Sequence, residues 1–127
     1  MGGQPLSRFD PEVTILDTKW INLTSIAARA KAKAGYSNQV LATLNDHAVH
    51  LSVMDSPFFW HYHPDSDEVF IVLAGILLVE LETAKYELRQ GEMLTVPAGV
   101  KHRTSPLTSH SVNLTIEKMD AETVRVS

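Results

Sequence analysis

The sequence predicts an all-β domain, and three observations carry that prediction. From about residue 38 onward the apolar residues recur with a period of two, the repeat of a strand with one face buried. The apolar runs are short and rich in Val, Ile, Thr and aromatic residues, which fit a pleated surface. Turn formers (Asn-Asp, Pro-Asp-Ser-Asp, Gly-Glu and Pro-Ala-Gly) punctuate them at close intervals. Eight or nine short strands within about 80 residues imply a closed barrel or a two-sheet sandwich, since a single sheet leaves an apolar face in water.

The elements follow in order. Residues 1–12 hold Gly2, Gly3, Pro5 and Pro11 and read as a loose arm. VTILDTKWINL at 13–23 can supply a peripheral strand. TSIAARAKA at 24–32 reads as a short helix, capped by Thr24 or Ser25, filled by alanine and stopped by Gly35. The strands then run NQVLATLN, HAVHLSVMD, PFFWHYH, DEVFIVLA, ILLVELE, AKYELRQ, EMLTVPAG, KHRTSP and HSVNLTIEK. The chain therefore divides into an N-terminal arm and short helix (1–35), a β-barrel (36–119) and a C-terminal tail (120–127). Neither a second domain nor a repeat is visible.

Bulk properties narrow the function. At 127 residues and 44% hydrophobic, the chain can build one core but not two. A net charge of -4 argues against nucleic acid or an anionic membrane as partner, because such partners need clustered cations. The one tight basic cluster, ARAKAKAG at 28–35, reads as the solvated face of the short helix. There is no cysteine, so thiolate ligands and cysteine nucleophiles are excluded and a reducing, cytoplasmic setting is expected. No apolar run is long enough to span a bilayer.

One stretch interrupts its own strand pattern. In FFWHYHPDSDEVFIVLAG, residues 58–75, alternation puts His61 and His63 on one face. Glu68 follows a four-residue turn and can pair back beside them, and His102 begins a later strand after PAGV. Three imidazoles and one carboxylate suit a divalent first-row metal: zinc, iron, manganese, nickel, cobalt or copper. Two histidines on a polar strand face would need no metal, so the HxH pair alone is weak; the later partners give it weight.

These spacings resemble those of the cupin family. HYHPDSDEVFIVLAG reproduces that family's first motif: His61, His63, four residues, Glu68, six residues, Gly75. GEMLTVPAGVKH reproduces its second: Gly91, five residues, Pro97, Gly99, two residues, His102. Fifteen residues, 76–90, separate the two glycines, as in compact single-barrel members. Asp55 and Pro106 stand where the family's motifs carry a leading glycine and a closing asparagine. The resemblance implies a double-stranded β-helix, or jelly roll, with a divalent transition metal (Fe, Mn, Zn or Ni) held by His61, His63, Glu68 and His102. It also implies a homodimer, with Trp60 expected at the contact.

Parity sorts the other candidates. His110 shares a face with Val112, Leu114 and Ile116, so it is expected toward the inner face near the open end, as a rim histidine bonded to a loop carbonyl in the preferred reading, or as a candidate catalytic base beside Glu68. His50 lies opposite Val49, Leu51 and Val53 and is expected at the surface or an interface. Phe59 and Thr104 share the ligands' parity and are expected to line the pocket, whereas Phe58, Trp60 and Tyr62 face away. Lys101 and Arg103 point away from the face of His102, which argues against sugar-phosphate isomerisation. Two functional readings remain: a metal-dependent oxidoreductase of dioxygenase type or isomerase acting on a small chelating molecule, and a non-catalytic binding module.

Overall fold

The structure, a computed structural model, describes residues 23–31 and 35–127; the expected arm and peripheral strand, save Leu23, lie outside the described residues. Helix α1 is one turn, Ile26–Arg29, with the Ser25 hydroxyl accepting from the Ala28 amide at 3.2 Å. Ten strands follow among the described residues: β1 Tyr36–Leu44, β2 His47–Met54, β3 His61–Tyr62, β4 Glu68–Ala74, β5 Leu77–Leu81, β6 Lys85–Leu88, β7 Met93–Val96, β8 His102–Pro106, β9 Ser111–Lys118 and β10 Val124–Arg125. They form two five-stranded sheets, ordered β1-β2-β9-β4-β7 and β10-β3-β8-β5-β6. The pairings are antiparallel, so the expected all-β class with a short helix holds.

Apolar side chains from both sheets meet between them. Met54, Phe70, Val72 and Val96 of the first sheet pack with Leu77, Val79 and Leu88 of the second. This core closes the space beneath the site. The turns that surround it depend on glycine at one position above all. Gly75 sits at φ +75°, and a Cβ there would run into the carbonyl oxygen of His110.

Two expectations about elements change. PFFWHYH is not one strand: residues 57–60 run outside both sheets, and only His61–Tyr62 pairs. Pro57 supplies no amide, and the next amide, that of Phe58, bonds to the Thr104 carbonyl at 2.9 Å. Conversely, the expected C-terminal tail contains β10, which pairs Val124 with Tyr62 and Arg125 with His61.

The orientation of the first sheet is the larger correction. Pairing puts His50 opposite Thr115, and Thr115 opposite Phe70, so these three share the face turned toward the second sheet. Val112 and Leu114 lie on the outer face, where they pack with Leu41, Leu51, Val53, Leu73, Ile26 of α1 and Ala30 at its C-cap. The apolar stripe of β9 therefore points outward, and its polar row Ser111, Asn113 and Thr115 is buried within. His50 is accordingly half-buried on the inner face, not on the surface, with Nδ1 2.8 Å from the Asn38 side-chain oxygen.

Candidate metal centre

His61 lies in β3, His63 just beyond it, Glu68 opens β4 and His102 opens β8. His61 and His102 are direct cross-strand partners, which fixes one side of the cluster. The PDSD turn carries the chain from His63 to Glu68 and is itself tied down. The Asp67 carboxylate accepts from the Ala98 amide at 2.8 Å, and the Ser66 hydroxyl accepts from the Lys118 amide at 3.0 Å. Gly99, at φ +82°, donates its amide to the His63 carbonyl at 2.8 Å, so the Pro-Ala-Gly turn is bound to the HxH strand. The Asp65 carboxylate accepts from the Glu122 amide at 3.2 Å, so each acidic turn residue has a structural task, and the turn aims Glu68 inward.

The four side chains present potential ligand atoms within 4.8 Å of one another. All are buried, His102 most deeply at 1% exposure. Each imidazole spends Nδ1 on a backbone carbonyl: His61 on Phe59 at 2.8 Å, His63 on Glu122 at 2.9 Å and His102 on Val100 at 2.9 Å. With Nδ1–H donating, each ring turns an Nε2 lone pair toward the centre, the orientation that metal-bound histidines adopt. Nε2 of His63 and of His102 both lie 3.1 Å from the same Glu68 oxygen. Neutral rings in that tautomer would oppose lone pairs to a carboxylate, so the cluster needs a positive charge at its centre. A divalent cation fits that requirement, and the donor set of three nitrogens and one oxygen suits a transition ion.

The electrostatics follow from this crowding. Burial, outweighing the Phe59 carbonyl and the Glu68 charge, lowers His61 to about 4. Burial would lower His63 too, but its hydrogen bond with Glu68 and the charges of Glu68 and Glu117 raise it to about 9. Burial works against ionised Glu68, yet hydrogen bonds from His102 and His63 hold it down at about 2. Burial also lowers His50, against the pull of the Glu68 charge.

A cavity of about 100 Å³ opens onto the cluster. Thr104 is among the residues that line it. Phe59 does not: it lines a separate surface groove, while Phe58, expected on the far side, takes a place in the cavity. The strand alternation that parity assumes is absent at 57–60. His110 is exposed, on the loop ahead of β9, so it reaches neither the cavity nor the cluster. Arg103 binds Glu80 at 2.7 Å and stacks over Trp60, outside the cavity, as parity predicts.

Five contributors escape the sequence reading. Asn38, Phe70, Glu117 and Thr123 line the cavity, and the Glu122 carbonyl orients His63. Glu117 has one detectable signal, its place in the polar row of β9; Thr123 and Glu122 belong to a segment with no periodicity. Burial and the neighbouring Glu68 charge raise Glu117 to about 7.

Comparison with known proteins agrees with the geometry. The sequence model of the family described as "Cupin domain" matches residues 49–115, more than half of the chain. The chain is a cupin. This cupin is 43% identical over 110 residues to the uncharacterized protein YdbB of Bacillus subtilis (strain 168), covering 84% of this chain and 93% of that protein. A cupin-2 domain containing protein from Shewanella frigidimarina, solved as a crystal structure, is similar at 32% identity and TM-score 0.61, over 68% of this chain and 83% of that one. A double-stranded β-helix protein from Klebsiella pneumoniae shares the fold at TM-score 0.72 and 14% identity, over 83% and 96% of the two chains.

Proposed function

We propose that this cupin holds one divalent transition ion on His61, His63, Glu68 and His102 and presents its open side to a small chelating molecule. The reading rests on one observation: three carbonyl-oriented imidazoles and one carboxylate converge in a buried cluster at the floor of a cavity. On this reading the two sheets close as the family's double-stranded β-helix over residues 36–119, with the cavity as its mouth. When bound, the ion would supply Lewis acidity, or redox chemistry if it is iron or manganese.

The chain's own residues would do the rest. His61, His63 and His102 are held as ligands by the Phe59, Glu122 and Val100 carbonyls, so they need no rearrangement on binding. Glu68, held ionised between His63 and His102, would supply the carboxylate oxygen to the ion. Phe58 and Phe70 wall the cavity against water. The small volume favours a small substrate. An oxidoreductase of dioxygenase type or an isomerase is the reading preferred here; the alternative is a binding module with the same site and no turnover.

Metal analysis of untagged protein, followed by oxygen uptake and product analysis with a panel of chelating substrates, separates these. Iron with uptake supports the dioxygenase, a rearranged product without uptake supports the isomerase, and binding without product supports the module. The homodimer belongs to the same proposal, with half-buried Trp60 at the contact. A stable monomer in sedimentation at micromolar concentration would contradict it. A cytoplasmic setting fits a chain without cysteine, and among the described residues no helix is long and apolar enough to cross a membrane.

A further inference from the structure

Glu117 is not one of the four convergent ligands, yet it faces them. Its Oε1 is buried and, among the described residues, has no hydrogen-bond partner. Its charged neighbours are His63, whose Nε2 lies 3.4 Å from that atom without a hydrogen bond, and Glu68. A buried carboxylate oxygen left unpaired in an aqueous-facing cavity is costly unless something else completes it. The cavity lining supplies no lysine or arginine to pair with it, and none of its threonines or its asparagine makes that bond.

A ligand that brings a hydroxyl to the open side would satisfy Glu117 Oε1, whereas a carboxylate or phosphate there would set acceptor oxygen against acceptor oxygen. We propose that Glu117 is the specificity-determining acceptor of this cavity, taking the hydrogen bond of a hydroxyl-bearing chelator and disfavouring carboxylate and phosphate ligands. This rests on the metal-binding reading above and names the ligand class of that site.

The test uses the full chain loaded with Co²⁺, whose visible spectrum reports coordination. Catechol, which offers two hydroxyls, and oxalate, which offers two carboxylates, form chelate rings of the same size and serve as probes under anaerobic conditions. Glu117→Gln, nearly isosteric, should keep Co²⁺ but shift the ratio of the two dissociation constants toward oxalate by roughly tenfold to a hundredfold, the scale of a hydrogen bond to a charged group. Glu117→Ala should shift it in the same direction, which keeps the test alive if one variant folds poorly. An unchanged ratio with the Co²⁺ spectrum intact overturns the role of Glu117 alone. Failure of the unmutated protein to take up stoichiometric Co²⁺ overturns the metal-binding reading and this inference with it.

Discussion

At His63 two demands meet on one imidazole. Nδ1 is committed to the Glu122 carbonyl, while Nε2 lies 3.1 Å from Glu68 and 3.4 Å from Glu117. Without a metal a proton answers those carboxylates, which is why His63 is raised from 6.5 to about 9. Its stabilising contribution is therefore whole below 6.5 and is lost as pH climbs through 9. Glu117, raised from 4.5 to about 7, acts in the same direction, because ionising it above 4.5 costs stability. Glu68, depressed from 4.5 to about 2, contributes above 4.5 and loses that contribution as pH falls toward 2. His61, lowered from 6.5 to about 4, works against Glu117 by gaining stability as pH rises from 4 to 6.5, so chelator-treated protein should melt highest near pH 6.5 and progressively lower toward pH 9; a melting temperature flat from pH 6.5 to 9 would contradict this. Metal must displace the His63 proton, so binding near neutral pH should release about one proton. Calorimetry in two buffers of different ionisation heat reads that number directly, and no buffer dependence would refute the displacement.

Short elements position these residues, and their value can be measured separately from folding. Residues 122–127 supply the Glu122 carbonyl to His63, the Thr123 hydroxyl 3.3 Å from the same Nδ1, and β10. Removing them should weaken metal affinity roughly ten- to a hundredfold, the usual cost of losing an outer partner of a metal-bound histidine. A competitive metal titration that finds affinity unchanged would show that His63 does not depend on this segment. The glycine turns differ by the same logic. Gly75→Ala meets both a positive φ and the His110 carbonyl and should cost about 3 kcal/mol. Gly91→Ala meets only the positive φ, with open space around it, and should cost about 1 kcal/mol in urea unfolding. Equal losses would mean the collision is relieved elsewhere.

Across the whole molecule, what the sequence makes legible is the chemistry of the ligands and the strand class; what it hides is which face of a strand points inward. The period-two pattern of β9 is plain, but the usual assumption that the apolar row faces the core fails there. Val112 and Leu114 pack outward with Leu51, Val53 and α1, and the polar row faces the cavity. That inversion moved His110 out of the site and hid Glu117 and the inward orientation of His50. Phe59 misled for a different reason, since parity has no meaning in the unpaired segment 57–60. His61, His63, Glu68 and His102 were readable because the resemblance fixed their spacing independently of any face. Polar burial on this scale also makes a prediction for the fold. Because an ion binds only the folded cluster, saturation at a hundred times its dissociation constant should add about 2.7 kcal/mol. The melting temperature should then rise by ~10 °C, and removing the metal should reverse it.

The central claim is that four side chains hold one transition ion at a single point. Anomalous diffraction from crystals of metal-loaded protein, collected on either side of the metal's absorption edge, tests it directly. One peak per chain, lying about 2.0–2.2 Å from Nε2 of His61, His63 and His102 and from a Glu68 oxygen, is the predicted result. A peak elsewhere on the molecule, or none at the cluster, would contradict it.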